Sequence, residues 1–287
     1  MMRFLHLLAF AGVLASAAPD MAQGEAAQLV CTPVAPIVTL SYDSRYAADD
    51  PERAKIDPEA EAEVLAALQP LDAFIDTLSD HAGALYTGRT PDRRRAAACI
   101  ADLLGQWAQA DALSQLGTET VELTIGSRLA SFGLLYWQAA PYPRDHPSHG
   151  AIIAWLERRV VDQAAFWETA PSGARQGNLR AWAALAGAAV SLVSDRNDLA
   201  PWAERSLSEV MCTADQDGSL PQEMSRGALA LHYQLHAVAP LVTAAAILER
   251  QGIAIQDRCD GALHRVVAFT IGDVTGDNHA ERITGTP

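Results

Sequence analysis

Apolar residues recur at helical spacing along most of the chain, and no segment shows the alternation typical of a half-buried strand. "DPEAEAEVLAALQPLDAFIDTLSDHAGALY" opens with Asp57 and Pro58, a favourable cap and first helical residue. "TPDRRRAAACIADLLGQWAQADAL" repeats this arrangement with Thr90 as the cap and Pro91 after it. Further helices are predicted over residues 119–138, 148–168, 179–194, 199–213, 228–250 and 260–270.

These segments have the lengths of antiparallel helical hairpins, and the turns between them contain Gly, Pro, Asn or Asp, as in "SDRNDLAP". They share no fixed-period consensus, so nothing supports a tetratricopeptide-type solenoid. We predict an all-α protein in which residues 24–287 form one domain, most simply a curved stack or toroid of hairpins. A concave fold of this kind offers a long cleft, which suits an extended polymer better than a small metabolite.

The first 23 residues have the features of a signal peptide. Arg3 is followed by an apolar run over residues 4–13, and small residues at 15–17 place the cleavage site within 17–23. The run is too short to span a bilayer, and no later stretch of about eighteen apolar residues is free of charges. We therefore predict an exported, periplasmic protein that does not act on a membrane; a retained N-terminal anchor is the alternative.

Four cysteines, at positions 31, 99, 212 and 259, permit disulfides in an exported chain. Four cysteines allow three connectivities, and Cys212 and Cys259 are the favoured pair because both lie near predicted helix ends. None are spaced closely enough for a zinc knuckle.

The formal net charge of -14 argues against a nucleic-acid partner, because binding nucleic acid requires Lys and Arg to neutralise phosphates. An anionic ligand would need a local basic pocket, since the overall field would repel it. His146 and His149 in "PYPRDHPSHG" resemble a metal-ligand spacing, but no third ligand accompanies them.

Residues 223–241, "EMSRGALALHYQLHAVAPL", place titratable side chains in an otherwise apolar helix. Arg226 and Tyr233 are seven residues apart, almost two helical turns, so an unbroken helix would bring them to one face together with His236. Gly227 would interrupt that first turn. The structural alternative is a core tyrosine with a satisfied hydroxyl and histidines that hydrogen-bond to neighbouring helices.

Residues 40–62 and 175–266 resemble the helical alginate lyases, which are periplasmic, mannuronate-specific polysaccharide lyases with an incomplete α/α toroid. The most specific matches, in the order the family has them, are "NLRAWAAL", "RNDLAPWA", "DQDGSLPQEMSR", "LALHYQLHAVAPL" and "DGALHRV". Residues 85–170 match only in helical character. The resemblance implies that the predicted toroid is of this incomplete kind.

The resemblance also implies a site. Arg226 corresponds to the family's active-site arginine, Tyr233 to its catalytic tyrosine, and Asn178 to the asparagine that helps neutralise the substrate carboxylate. The "SRY" segment at 44–46 corresponds to a basic segment that lines the cleft, which makes Arg45 and Tyr46 candidate substrate-binding residues.

One position departs from the family pattern. Leu179 stands where the family has a catalytic histidine, so the activity is lost, the role has moved, or the histidine is dispensable for this substrate. His232 and His236 are candidates to compensate and to bind substrate. Trp182 matches a family aromatic residue and is either a sugar-stacking platform or a core tryptophan.

The chemistry of elimination narrows the expected substrate. In β-linked mannuronate or glucuronate the C5 hydrogen and O4 lie on the same side of the ring, so Tyr233 alone could act as base and then acid. Guluronate requires a second base on the opposite side. The expectation is a monomeric lyase for polymannuronate or glucuronan, without cofactor or metal because arginine and asparagine can carry the carboxylate. The alternatives are a non-catalytic protein that binds or helps export an anionic polysaccharide, and an unrelated helical scaffold or hydrolase.

Overall fold

A computed structural model describes residues 31–142 and 145–286. The predicted signal peptide, residues 1–23, lies outside the described residues and stays a prediction. The two β-strands of the described part are β1 (Thr39–Leu40) and β2 (Gln115–Leu116). The α-helices are α1 (Pro58–Thr87), α2 (Thr90–Gln109), α3 (Glu119–Thr124), α4 (Gly126–Ala139), α5 (His149–Thr169), α6 (Asn178–Ser191), α7 (Leu199–Met211), α8 (Pro221–Met224), α9 (Ala230–Arg250), α10 (Arg258–Gly272) and α11 (His279–Thr284).

The predicted N-cap residue is confirmed for α1 and is wrong for α2. The Asp57 carboxylate accepts the backbone N–H of Glu59 at 2.9 Å and that of Ala60 at 3.2 Å, as predicted for the start of α1. At α2 the predicted cap, Thr90, is already the first helical residue, and Arg89 precedes it without a side-chain cap.

Two predicted helices have different boundaries in the structure. The segment predicted as 119–138 is divided into α3 and α4 around Ile125. The segment predicted as 228–250 begins only at Ala230, because Gly227 has a φ of +53° and residues 227–229 form a 3₁₀ turn. That turn decides the geometry of the site described below.

The alanine-rich helix α6 is the centre of the fold, and it packs against α4, α5, α7 and α9. Its small side chains permit close approach. A β-carbon at Gly126 of α4 would lie 2.7 Å from the backbone nitrogen of Ala183, and one at Gly187 would lie 3.0 Å from the ring of Trp202 on α7. A helix that is apolar on nearly all sides is buried, and this burial fixes the N-terminus of α6 against α8 and α9.

Aromatic packing holds α1, α2, α4 and α5 together. Phe74 stacks on Trp107 with ring centroids 4.2 Å apart, and Phe132 contacts both Trp107 and Trp155. All four rings are fully buried. Their burial provides the rigid support on which the N-terminal segment rests.

Two disulfides connect the four cysteines, each with 5.5 Å between its Cα atoms. The favoured pair, Cys212 with Cys259, is confirmed and joins the end of α7 to the start of α10. The second joins Cys31 to Cys99 and attaches the N-terminal segment to α2.

The N-terminal segment crosses the helical hairpins before α1 begins. β1 pairs with β2 in parallel, and the buried Tyr42 shares a hydrogen bond of 2.7 Å with the Thr124 hydroxyl. Beyond it, residues 46–56 form a loop closed by a bridge between Tyr46 and Ile56. The Asp50 carboxylate stabilises this loop by accepting N–H groups within it.

Helix α9 is long and apolar enough to cross a membrane by length and composition alone. It packs against α6, α7, α8 and α10, with residues such as Ala237, Leu241 and Leu248 fully buried. These contacts are typical of a core helix in a helical domain.

Candidate active site

A cavity of about 240 Å³ lies between the N-terminal segment, the N-terminus of α6 and the first turns of α9. The structure brings all the sequence-predicted site residues to its lining, although they come from three distant parts of the chain. They are Arg45, Tyr46, Asn178, Trp182, Arg226, His232, Tyr233 and His236.

Arg226 and Tyr233 meet although the helix between them is broken. The interruption expected at Gly227 is present, because the left-handed Gly227 ends the turn that carries Arg226. The guanidinium carbon nevertheless lies 4.0 Å from the Tyr233 ring centroid and 5.1 Å from that of Tyr46. Its Nη2 donates a hydrogen bond of 2.7 Å to the carbonyl of Arg53. Cation–π contacts to two rings hold the cation in the cavity wall.

The environment of Arg226 leaves its charge only partly compensated. Burial lowers the pKa of the guanidinium from its ordinary value, while Tyr46 and Glu223 act in the opposite direction. Among the described residues, its Nε is buried without a hydrogen-bond partner. A buried donor without an acceptor is costly, so an anion that entered the cavity and accepted from this guanidinium would be favoured.

Tyr233 is half-buried and lines the cavity. Its hydroxyl makes no side-chain hydrogen bond to another described residue, so the alternative of a core tyrosine with a satisfied hydroxyl is wrong. The phenol oxygen is therefore free to interact with a molecule in the cavity.

His232 and His236 lie one turn apart on α9, on either side of Tyr233 in sequence. Their ring centroids are 4.6 Å apart, and that of Tyr233 lies 5.1 Å from His232 and 6.0 Å from His236. His236 is partly exposed to solvent, but the side chains around it displace water from its ring, and this desolvation lowers its pKa. The positive charges of His232 and Arg45 lower the pKa further. His236 is thus neutral at neutral pH. Neither histidine hydrogen-bonds to a neighbouring helix within the described chain, contrary to the structural alternative.

Asn178 is buried at the first position of α6, where both its backbone and its side chain contact Glu223. Its backbone N–H donates to Glu223 Oε1 at 2.7 Å, and its Nδ2 donates to Glu223 Oε2 at 3.0 Å. One of the two amide hydrogens is thereby occupied. The other remains available to a ligand.

Glu223 is the main residue that sequence reasoning missed. It is 1% exposed, and burial raises its pKa to about 7, against the opposing effects of the Asn178 hydrogen bonds and the Arg226 charge. The signal was present in "PQEMSR", where an acidic residue lies three positions before Arg226 in a segment of helical character. Its tertiary partner on α6 could not be inferred from that spacing.

The remaining predicted residues lie at the rim and wall. Arg45 is exposed and pairs with Glu61 at 3.7 Å, and its guanidinium carbon lies 5.9 Å from the Tyr46 ring centroid. Trp182 is half-buried: it packs against the core and also lines the cavity, so both interpretations of it hold in part. Arg128, which was not predicted, also lines the cavity and is held by Asp72 through two hydrogen bonds of 2.9 and 3.0 Å.

A second cavity of about 230 Å³ adjoins the first. The two share part of their lining, so together they form an extended cleft. Leu179, at the position of the family histidine, lies at the junction. The shared residues are Arg53, Leu123, Asn178, Leu179 and Arg226.

His146 and His149 are not brought together as metal ligands. His146 Nε2 lies 3.2 Å from an Asp102 carboxylate oxygen, whereas His149 Nδ1 shares a hydrogen bond of 2.5 Å with the Tyr136 hydroxyl. Over residues 31–142 and 145–286, no cluster of three or more His, Cys, Asp or Glu residues is arranged to hold a metal ion.

A family model described as alginate lyase matches residues 127–280, which is more than half of the chain. The chain belongs to the alginate lyase family. Among curated relatives, an alginate lyase of Cobetia marina is 25% identical over 259 residues, covering 86% of this chain and 66% of its own length. One from Pseudomonas syringae pv. syringae strain B728a is 27% identical over 174 residues, covering 58% of this chain and 46% of its own. The chain thus spans between about half and two thirds of the length of these relatives.

Solved structures establish the fold. Alginate lyase A1-III from Sphingomonas species A1 superposes with a TM-score of 0.73 at 21% identity, covering 90% of this chain and 72% of that one. A histidine-to-alanine variant of alginate lyase A1-III, complexed with a tetrasaccharide, gives a TM-score of 0.76 at 21% identity with the same coverage. The predicted all-α, incomplete α/α toroid is confirmed by this likeness.

Proposed function

We propose that this family member is a polysaccharide lyase that cleaves a β-1,4-linked polyuronate, polymannuronate or glucuronan, by β-elimination. One observation carries the proposal: the Arg226 guanidinium lies 4.0 Å from the Tyr233 ring centroid, in a cavity that Asn178 also lines. A carboxylate-binding cation and a candidate proton-transfer group are thus adjacent. Uronate elimination requires this combination.

The reaction starts with neutralisation of the sugar carboxylate. Arg226 and the unoccupied amide hydrogen of Asn178 donate to it, and these preorganised donors stabilise the negative charge that develops when C5 loses its proton. Tyr233 accepts the C5 proton. As the C4–O4 bond breaks and the C4–C5 double bond forms, Tyr233 returns a proton to O4 of the leaving chain.

Tyr233 acts as a base only as the phenolate. An unperturbed tyrosine has a pKa of about 10, so the neutral phenol dominates near neutral pH. The Arg226 guanidinium carbon lies 4.0 Å from the ring centroid, so its positive charge would lie next to the negative charge of that phenolate. Arg226 therefore has two roles, one toward the sugar and one toward the base.

The substrate class follows from Leu179 and from the cavity wall. Leu179 is apolar, so no base is available at that position for the anti elimination that guluronate requires. Syn elimination on a β-linked uronate needs only Tyr233. We assign substrate binding to Arg45, Tyr46 and Trp182, and to the His232–His236 pair, which would compensate for the missing histidine.

The second candidate is a catalytically degenerate protein that binds a polyuronate or assists its export. Leu179 at the histidine position favours it, as does the engagement of the Asn178 amide by Glu223. In both cases we propose a monomer acting in the periplasm, in keeping with the signal-peptide features of residues 1–23.

The deciding experiment offers polymannuronate, polyguluronate and glucuronan to the purified protein and follows the ultraviolet absorbance of the unsaturated uronate product. Calorimetric binding of an oligomer of each polymer is measured in parallel. Product from a β-linked polymer that disappears in Tyr233→Phe supports the lyase. Binding without product from a folded protein supports the degenerate relative. If the folded protein shows no binding and forms no product, both candidate functions are refuted.

A further inference from the structure

Glu223 is a buried carboxylate that the proposed elimination does not use directly. Both of its oxygens are engaged by one residue, since Oε1 accepts from the backbone N–H of Asn178 and Oε2 from its side chain. These two contacts fix the start of α6 and the side-chain rotamer of Asn178 together. With one amide hydrogen bound to Glu223, the second is held in a fixed direction.

The backbone before Asn178 packs closely against Glu223 and its neighbour on α8. A β-carbon at Gly177 would lie 3.1 Å from Glu223 Oε1 and 3.0 Å from Gln222, so the chain before Asn178 approaches α8 as closely as a glycine permits. The carboxylate also lies at the N-terminus of α6, where the helix dipole favours negative charge. Glu223 is thus held in place by the backbone as well as by side chains.

The charged groups around Glu223 set its response to a ligand. The positive charge of Arg226 acts on Glu223, and Arg53, which lines the same cavity, acts in turn on Arg226. A sugar carboxylate that pairs with Arg226 would draw that cation's field away from Glu223 and add a like charge nearby. Both changes favour the protonated carboxyl. The charged and polar groups that face Glu223 or line the same cavity are Asn178, Arg226, Arg53, Glu52, Glu119, Gln222 and Ser225.

We propose that Glu223 is a positioning residue that aims the Asn178 amide at the sugar carboxylate and takes up a proton from solvent when an anionic sugar binds. This rests on the proposed function for the class of ligand. The proton prevents a buried negative charge from opposing the incoming one. Substrate binding therefore weakens as the pH rises above neutrality.

The first test needs neither a ligand nor activity. The ¹⁵N–¹H resonance of the Asn178 backbone amide, which donates to Glu223, is followed through a pH titration of the whole protein. We expect it to titrate with a midpoint of about 7 and to become flat in Glu223→Gln. The matched control is Glu119→Gln, which removes an exposed carboxylate from the same cavity and is expected to leave the Asn178 titration unchanged.

The second test measures proton uptake. A saturated oligomannuronate is bound to Tyr233→Phe in two buffers of different ionisation enthalpy near neutral pH, and the difference in calorimetric heat gives the protons taken up. We expect net uptake of up to one proton, which is lost when Glu223→Gln is added and kept when Glu119→Gln is added. For turnover, we expect Glu223→Gln to lower kcat about ten- to a hundredfold, because the glutamine amide nitrogen cannot accept the second of the two hydrogen bonds that position Asn178. KM should then no longer increase with pH.

The outcomes separate this inference from the proposed function. If the wild-type protein shows no lyase activity, the proposed enzyme fails, while the Asn178 titration and the calorimetry still test Glu223. A flat Asn178 resonance in the wild type, or oligomer binding without proton uptake, overturns the inference even if the protein is an active lyase. Both measurements can be made without a Glu223 variant, so a variant that fails to fold does not prevent them.

Discussion

Replacing Tyr233 with phenylalanine removes one oxygen from the centre of the cleft and leaves the ring in place. The hydroxyl makes no hydrogen bond to another described side chain, and the residue is only half-buried. The phenylalanine ring keeps a π face for the Arg226 guanidinium, whose carbon lies 4.0 Å from the tyrosine ring centroid in the wild type. The perturbation is therefore confined to the group that the proposal makes both base and acid.

The structure predicts that Tyr233→Phe has a small effect on stability and a large effect on the catalytic rate. The free energy of unfolding should change by less than about 0.5 kcal/mol, since no described hydrogen bond or core packing is lost. General acid–base catalysis contributes about a hundred- to ten-thousandfold, and Tyr233 performs both transfers. We therefore expect kcat on a β-linked polyuronate to fall by at least about a thousandfold, or about 4 kcal/mol in activation free energy.

The assay combines initial rates of unsaturated product formation with urea unfolding of the same preparations. Oligomer affinity, measured by calorimetry, should change by less than about threefold, because the carboxylate-binding donors are retained. Retention of a tenth or more of the wild-type kcat would refute Tyr233 as the proton-transfer group. A large loss of stability would show instead that the hydroxyl has a structural partner.

Three further changes test other parts of the molecule. Leu179→His should raise kcat on polymannuronate, because it restores a base at the junction of the two cavities where the family has its catalytic histidine, and initial rates of product formation measure it. Arg226→Lys should lower kcat/KM about tenfold or more, because an ammonium cannot replace the planar guanidinium between sugar and rings. Replacing Cys212 and Cys259 with serine should lower the free energy of unfolding by about 4 kcal/mol, from chain entropy for a separation of 47 residues.

Each change has its own control and contrary result. Leu179→Gln adds polarity without a base, and an equal rise in polymannuronate cleavage in both variants would contradict the first prediction. Unchanged kinetics in Arg226→Lys would show that any cation suffices. For the disulfide, unfolding of the wild type with and without reductant is the comparison, and equal stability of the wild type and the double variant would contradict the entropic argument.

The helices could be predicted from sequence because helical periodicity and capping are local. Asp57 and Pro58 start α1 as expected, and the apolar spacing locates each long helix within a few residues. The helix boundaries that were not predicted depend on backbone conformation and close packing, which the pattern of apolar side chains does not indicate. The left-handed Gly227 delays α9, and residues 119–138 divide at Ile125, where α4 begins with a glycine packed against α6.

The residues of the candidate site could be predicted from the sequence, whereas most of the contacts between them could not. Motif similarity identified Arg226, Tyr233 and Asn178, and the structure places them in one cavity. It could not show that Asn178 is held by Glu223, since that contact joins residues 45 positions apart. Long-range pairs of this kind depend on how α6 packs against α8, which no local signal encodes.

The charge of the whole protein and the charge of the first cavity have opposite signs. The whole chain carries 35 acidic and 21 basic residues, whereas the lining of the first cavity includes four arginines and one aspartate. Beyond the Debye length of about 8 to 10 Å at physiological salt the acidic surface has little influence, and inside the first cavity the arginines dominate. The proposed affinity for a polyanion would then come from short-range pairs with single carboxylates rather than from attraction of the whole chain. For the proposed lyase, parts of a polymer that extend beyond the cleft would meet an acidic surface that repels them, which would favour release of the product.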